Sequence, residues 1–163
     1  MTQTALVNGR VLTDAGFQEG QAVVIAAGRI AAILPAADLP ADIERHDLEG
    51  AMLLPGFIDT QVNGGGDVLF NDSPTVEGIV AIGAAHRRFG TTGFLPTLIS
   101  DTLAKVVAAR RAAEEAIARR VAGVLGVHLE GPFLSMERRG IHDAGKIREI
   151  DEAGIDILTR PGT

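Results

Sequence analysis

Short apolar runs separated by turn residues fill the first fifty positions of the chain. The segments TALVNGRVLTD and AVVIAAGRIAAILP each place a small turn, Asn8-Gly9 and Ala27-Gly28, between two runs of β-type residues. Strand, short glycine-containing turn and strand is the pattern of a β-hairpin. We therefore predict a small β-unit over residues 1–50.

The pattern changes after Gly50, where β-type runs alternate with longer segments of helical periodicity. The predicted elements are a strand at Leu53–Asn63, a helix at Ser73–Phe89, a strand at Gly93–Ser100, a helix at Thr102–Val121, a strand at Val124–Gly131 and a helix at Ile147–Thr159. We expect Ser73 as the N-cap of the first helix, Pro74 as its first residue and Gly90 as its stop. This alternation predicts an α/β fold with parallel strands joined by right-handed crossovers.

Only three β/α units are contained in this alternation. A closed parallel barrel has eight such units and takes roughly 250 residues. The chain reaches its last segment, LTRPGT, where a fourth strand is expected. We therefore expect that Thr163 is not the natural end of the protein.

Composition narrows the classes of partner. The 163 residues are 46% hydrophobic and 22% charged, with a net charge of -6, which is typical of a soluble globular protein. An acidic chain with six aromatic residues argues against nucleic-acid binding, and no apolar run is long enough for a membrane helix. The start, MTQTALVNGR, does not read as a signal peptide, so we expect a cytoplasmic protein. Because cysteine is absent, any metal must be held by nitrogen and oxygen ligands.

Polar side chains follow the predicted strands where each strand ends. Asp59, Gln61 and Asn63 in IDTQVNGGG occupy every second position, so their side chains are expected on one face of a strand. Thr97 and Ser100 lie near the end of the second strand of the alternation. Chemistry collects at the C-terminal ends of parallel strands. The first three residues either line such a site or satisfy backbone groups before a glycine turn, and spacing alone leaves both readings open.

The third strand of the alternation ends in His128 and Glu130, two residues apart. A carboxylate at the end of a buried strand needs a cation or several donors beside it. A metal ion is one such cation, and Arg138 or Arg139 in the next loop is another. His128 is more typical of a hydrogen-bonded core histidine than of a metal ligand.

Five segments carry a resemblance to a known family. They are NGRVL, GRIAAILP, DLEGAMLLPGFIDTQVNGGG, GTTGFLPTLIS and GVHLEGPFLSMERRGIHD. On these segments the chain resembles the N-terminal part of the N-acetylglucosamine-6-phosphate deacetylases of the amidohydrolase superfamily. The resemblance implies a (β/α)8 barrel of the TIM type with a small β-sandwich. Residues 1–50 would then be a β-sandwich segment, and residues 51–163 the first three barrel units, apparently truncated.

The same resemblance implies roles for five residues. Many amidohydrolases carry a His-x-His pair where this chain has Gln61 and Asn63. The chain is therefore similar to the subgroup that uses a single divalent metal, which is expected to be zinc. In that subgroup the residues at these two positions are expected to lie beside water or substrate. Glu130 matches the metal-ligating glutamate of the family. His142 matches a loop histidine near the sugar, and the backbone at Gly131 is expected to approach the substrate.

The resemblance leaves parts of the site unassigned. The family's two histidine ligands and its general-base aspartate are expected beyond Thr163, and His46 and His86 do not match them. No strong phosphate cluster is present apart from Arg138, Arg139 and Lys146. This agrees with a homodimer in which the neighbouring subunit helps to bind the phosphate.

The expected activity is hydrolysis of the N-acetyl group of N-acetylglucosamine 6-phosphate, giving glucosamine 6-phosphate and acetate. Two alternatives stay open. The chain is a catalytically inactive piece of such an enzyme, in which case the 163 residues alone show no deacetylase activity, or it acts on another C–N amide bond. The second alternative is weaker, because its His-x-His mark is missing at positions 61 and 63.

Overall fold

The computed structural model describes residues 3–159, and these form two compact units that divide between Pro55 and Gly56. The first unit contains strands only, apart from a short 3₁₀ turn at Ala36–Asp38. Its strands are β1 (Gln3–Val7), β2 (Arg10–Thr13), β3 (Gly16–Gln18), β4 (Gln21–Ala26), β5 (Arg29–Pro35), β6 (Glu44–Asp47) and β7 (Met52–Leu53). They form two sheets, ordered β5-β4-β1-β6 and β3-β2-β7. β2 contacts β4, so the two sheets meet.

One of the two predicted hairpins is present. Ala27-Gly28 joins the antiparallel strands β4 and β5, and both turn residues have a positive φ, at 50° and 73°. Positive φ at both central residues is the geometry that suits a two-residue hairpin.

The hairpin predicted at Asn8-Gly9 is wrong. β1 pairs with β4 and β6, whereas β2 pairs with β3 and β7, so the chain changes sheets at this turn. Gly9 lies where a Cβ atom would come within 2.6 Å of the Leu48 side chain and 2.9 Å of the Ala51 carbonyl oxygen. The glycine is therefore needed for close packing, and the turn sequence alone does not reveal which strands pair.

The second unit alternates strands and helices, as predicted. Its elements are β8 (Phe57–Val62), β9 (Gly64–Gly65), β10 (Val68–Leu69), α1 (Val76–Arg87), β11 (Thr91–Ile99), α2 (Leu103–Ala118), β12 (His128–Glu130) and α3 (Glu152–Thr159), with short 3₁₀ turns at Met136–Arg138 and Ala144–Lys146. The main sheet is ordered β12-β11-β8, and both strand pairs are parallel. The predicted order β, α, β, α, β, loop, α is confirmed.

The core of the second unit lies between this sheet and its helices. Both α1 and α2 contact β11 and each other. The largest fully buried apolar side chains are Phe70, Ile79, Ile82, Leu98 and Val106. The described residues thus form an open three-stranded sheet of α/β type, and the eight-stranded barrel remains a prediction.

Several element ends differ from the predicted ones. The strand predicted at Leu53–Asn63 is divided: Leu53 belongs to β7, and β8 starts only at Phe57. Pro55 lies between them and lacks the N–H group that a ladder needs. The strand predicted from Val124 is reduced to β12, with an isolated bridge between Val124 and Phe94.

The helices also start later than predicted. Thr75, not Ser73, caps α1, and its hydroxyl accepts a hydrogen bond from the Gly78 N–H at 3.1 Å. The last helix begins at Glu152 because the Asp151 carboxylate accepts from the Gly154 N–H at 2.8 Å, the contact of an N-cap. The position of the expected fourth strand, residues 160–163, lies outside the described residues.

The helices of the described residues are too short or too polar to span a membrane. None of α1, α2 and α3 combines the length and the hydrophobicity that crossing a bilayer requires.

Candidate active site at the strand ends

Two side chains from different strands meet at the C-terminal edge of the main sheet. Gln61, the residue before the last in β8, donates from Nε2 to Oε2 of Glu130, the last residue of β12, at 2.9 Å. A glutamine nitrogen can only donate and a carboxylate oxygen accepts, so the direction of this hydrogen bond is fixed. Two of the residues predicted for the site are thereby brought together.

The second oxygen of Glu130 faces His142 from the loop that follows β12. His142 Nε2 lies 3.5 Å from Glu130 Oε1, and the histidine side chain is 6% exposed against 31% for the glutamate. The loop holds His142 locally, because Arg139 donates from its guanidinium to the His142 carbonyl oxygen at 2.7 Å. Arg139 thus orients the loop that carries His142, and Glu130 is contacted by Gln61 and His142.

The other ring nitrogen of His142 contacts Ser100, the first residue after β11. Nδ1 lies 2.8 Å from the Ser100 hydroxyl oxygen and accepts from the Ser100 N–H at 3.3 Å. Both residues are buried. The site therefore has members from all three parallel strands or the residues that follow them.

Gly131, which follows Glu130, packs against Ser100. Its φ is +101°, and a Cβ atom at this position would lie 2.1 Å from the Ser100 hydroxyl oxygen. A side chain is therefore excluded twice, by backbone conformation and by space. The structure thus gives Gly131 a packing role against Ser100, and the expected approach of the substrate to its backbone stays a prediction.

Asp59 and Asn63 are arranged differently from Gln61. The Asp59 carboxylate accepts from the Gln61 N–H at 3.1 Å, so it satisfies a backbone group, one of the two readings left open by spacing. Asn63 lies beyond the end of β8, and its carbonyl oxygen accepts from the Phe70 N–H at 2.9 Å. The pairing of β8 with β11 is also irregular between Asp59 and Val62, so strict alternation does not hold along this stretch, and the role expected for Asn63 stays a prediction.

His128 is hydrogen-bonded within the sheet. Its Nδ1 lies 3.2 Å from the Thr97 hydroxyl, and that hydroxyl also accepts from the Val62 N–H at 2.9 Å. The three parallel strands are thus linked through one buried threonine. This agrees with the expectation of a hydrogen-bonded histidine at position 128.

A buried polar cluster beside the site was missed by the sequence analysis. Asn71 donates to Asp101 at 3.2 Å, and the ammonium groups of Lys105 and Lys146 lie 3.4 Å and 3.3 Å from the Asp101 carboxylate. Burial alone raises the pKa of Asp101, but hydrogen bonds from the Thr102 N–H, Asn71 and the two lysines outweigh it, and the pKa lies below its ordinary value. Asp101 directly follows Ser100, so the cluster fixes the same strand end and, through Lys146, the loop that carries His142.

The side chains at the strand ends supply only part of the expected metal site. A zinc site takes about four ligands of nitrogen, oxygen or sulfur type. Within residues 3–159, no group of three or more histidine or acidic side chains is close enough to hold a metal ion. Glu130 fits as a single anionic ligand at the end of a strand, and the described residues do not complete the site.

The first unit is matched by a family model. Residues 4–53 correspond to the NagA composite domain. This match covers the unit made of strands only and does not extend to residues 54–163.

Comparisons over the whole chain extend this match to particular enzymes. The N-acetylgalactosamine-6-phosphate deacetylase of Shewanella sp. (strain ANA-3) is 42% identical over 145 residues, which are 88% of this chain and 37% of that protein. The N-acetylglucosamine-6-phosphate deacetylase of Haemophilus influenzae is 37% identical over 158 residues, 97% of this chain and 42% of that protein. The crystal structure of N-acetylglucosamine-6-phosphate deacetylase from Pasteurella multocida superposes with a TM-score of 0.90 at 35% identity, covering 96% of this chain and 41% of that one.

The resemblance seen in the sequence is therefore confirmed: in sequence and in fold the chain matches the N-terminal portion of N-acetylglucosamine-6-phosphate deacetylases. The chain spans about two fifths of the length of the curated relatives it matches.

Proposed function

We propose that this chain supplies the N-terminal part of a metal-dependent amidohydrolase that removes the acetyl group of N-acetylglucosamine 6-phosphate, giving glucosamine 6-phosphate and acetate. The observation that carries the proposal is the contact of Glu130 with Gln61 and His142 at the strand ends. It occurs in a chain whose relatives are named as deacetylases of N-acetylated hexosamine 6-phosphates.

Each of these residues has a role in the proposal. Glu130 serves as one ligand of a divalent metal, zinc, and the further ligands and the general base come from outside residues 3–159. When bound, the metal supplies Lewis acidity at the acetamide carbonyl and a water of lowered pKa. Gln61 holds one oxygen of Glu130, so that the carboxylate keeps its orientation. His142, with its Nε2 beside Glu130, contacts the sugar, and the backbone of Gly131 lies at the same strand end. Asn63 completes the substrate-binding set.

A second candidate substrate is N-acetylgalactosamine 6-phosphate. The Shewanella relative, at 42% identity, is named as an N-acetylgalactosamine-6-phosphate deacetylase. The two hexosamine phosphates share the acetamide and the phosphate and differ only in the configuration at C4. The proposed chemistry is therefore the same for both, and a substrate comparison separates them.

A cytoplasmic location and a homodimer, in which the neighbouring subunit helps to hold the phosphate, belong to the same proposal. Arg138, Arg139 and Lys146 are three of the basic side chains in the loop after β12. Two of them are engaged within the chain, Arg139 with the His142 carbonyl oxygen and Lys146 with Asp101.

A chimeric enzyme tests the proposed deacetylase activity. In this chimera the 163 residues of the present chain replace the corresponding N-terminal segment of the Shewanella enzyme. Acetate release is measured with N-acetylglucosamine 6-phosphate and with N-acetylgalactosamine 6-phosphate. We expect turnover of at least one of them by the chimera and none by the 163-residue chain alone. A folded chimera that releases acetate from neither substrate contradicts the proposal.

A further inference from the structure

Two hydrogen-bond donors of Ser100 converge on one ring nitrogen of His142. The backbone N–H donates to Nδ1 at 3.3 Å, and the hydroxyl oxygen lies 2.8 Å from the same nitrogen. A backbone N–H can only donate, so Nδ1 must present its lone pair. The Ser100 hydroxyl, facing the same lone pair, must then donate its proton as well. These two contacts assign the ring proton of neutral His142 to Nε2.

The assigned proton faces the candidate site. Nε2 lies 3.5 Å from Glu130 Oε1, so the nitrogen that carries the proton has a carboxylate oxygen as its neighbour. His142 is 5% exposed, and both of its ring nitrogens contact protein groups. The ring orientation and the position of its proton are therefore set by Ser100 on one side and Glu130 on the other.

The place of Ser100 is itself fixed by the sheet. Ile99 and Glu130 are register partners of β11 and β12, so Ser100 and Gly131 are the next residues along the two strands. A Cβ atom on Gly131 would lie 2.1 Å from the Ser100 hydroxyl oxygen, which leaves that hydroxyl little room on this side. The glycine thus makes space for the serine, and the serine reaches a histidine 42 positions further along the chain.

We propose that Ser100 is a positioning residue that keeps His142 in its Nε2–H form, so that the ring carries its proton on the nitrogen next to Glu130. One consequence of this inference rests on the proposed function. In the proposed reaction His142 contacts the sugar through Nε2–H, so the sugar group at this contact must be a hydrogen-bond acceptor. The tautomer itself follows from contacts within this chain and does not depend on turnover.

Nitrogen NMR of the histidine rings tests the assignment. The full 163-residue chain is labelled with ¹⁵N, and long-range proton–nitrogen correlations are recorded where the histidines are neutral. For His142 we expect an unprotonated Nδ1 and a protonated Nε2. In Ser100→Ala, which keeps the backbone donor and loses the hydroxyl, Nδ1 accepts one hydrogen bond fewer, so we expect its resonance to shift further from the protonated position. Ser100→Thr, which restores the hydroxyl, is expected to restore the original shift.

The matched control is Ser135→Ala, which removes an exposed serine of the same loop whose hydroxyl contacts Glu137. The His142 signals are expected to stay unchanged in this variant. A protonated Nδ1 in the unmodified chain overturns the inference without any variant, and an unchanged Nδ1 resonance in a folded Ser100→Ala overturns it too. An inactive chimera with the expected tautomer counts against the proposed function alone. An active chimera with a protonated Nδ1 counts against the role of Ser100 alone.

Discussion

Gln61 Nε2 donates to Glu130 Oε2 at 2.9 Å, although β11 lies between the two strands that carry these residues. Neighbouring strands are about 4.8 Å apart, so the contact extends across a whole strand. Two long side chains at the same edge of the sheet make this reach possible. The carboxylate of Glu130 is thereby held at the strand ends by a residue 69 positions earlier in the chain.

A double-mutant cycle tests this contact. We expect Gln61→Ala and Glu130→Ala to show a coupling energy of about 0.5–1 kcal/mol, below the usual value for a hydrogen bond to a charged group, because Gln61 is exposed. The free energy of unfolding is measured by urea titration, followed through amide NMR signals of residues 56–159 so that the second unit alone is reported. Strictly additive effects of the two substitutions contradict the contact.

Gly131→Ala is expected to destabilise the second unit by at least about 2 kcal/mol, because backbone strain and overlap with Ser100 add together. Gly140→Ala is the matched control. Gly140 also has a positive φ, +57°, but no atom lies within 4 Å of its added Cβ, so only the strain of about 1 kcal/mol remains. The same urea titration compares them. Equal losses in the two variants refute the packing role of Gly131.

Asp101→Asn removes the charge on which Lys105 and Lys146 converge and keeps the shape of the side chain. We expect a loss of about 1–2 kcal/mol, discounted because both lysines are more than one third exposed. Asp72→Asn, at an exposed position, serves as the control with an expected change within about 0.5 kcal/mol. A loss in Asp101→Asn no larger than that of the control would show that the cluster does not stabilise the unit.

The pH dependence of stability gives an independent check of Asp101. Its pKa is lowered in the folded state, so the carboxylate contributes stability that is complete above the unfolded pKa, about 4, and is lost as the pH falls through the folded value. The unmodified chain should therefore lose more stability than Asp101→Asn between pH 5 and pH 3, as measured by urea titration at each pH. The carboxylate of Asp151, whose pKa is lowered mainly by the Gly154 N–H, titrates in both proteins and cancels in the comparison. Parallel pH profiles of the two proteins contradict the shift.

The order of strands and helices could be predicted from the sequence because it depends on local periodicity. The hairpin at Ala27-Gly28 followed from turn chemistry, but Asn8-Gly9 has the same chemistry and joins strands of different sheets. Which strands pair is decided by tertiary contacts, and a turn of two residues does not encode them. The start of α1 was misplaced because Ser73 and Thr75 are both suitable cap residues, and it is the Thr75 hydroxyl that accepts from the Gly78 N–H.

The candidate site was predictable only in part. Gln61, Glu130 and His142 were identified through strand ends and resemblance, and the structure places them in contact. The contact of Ser100 with His142 crosses 42 positions and depends on a loop whose path has no periodicity. A signal did exist, because Ser100 and Asp101 are two polar residues directly after a buried strand. Their partners cannot be read from local sequence.

The most direct test of the account is the zinc content of the chimera with and without Glu130→Ala, measured after dialysis against metal-free buffer. Glu137→Ala is the matched control, because Glu137 is an exposed glutamate in the loop after β12. We predict about one zinc per chain in the unmodified chimera and in Glu137→Ala, and almost none in Glu130→Ala, because loss of one ligand of about four leaves the ion weakly held. An unchanged zinc content in a folded Glu130→Ala chimera contradicts the assignment of Glu130 to the metal and, with it, the proposed reaction centre.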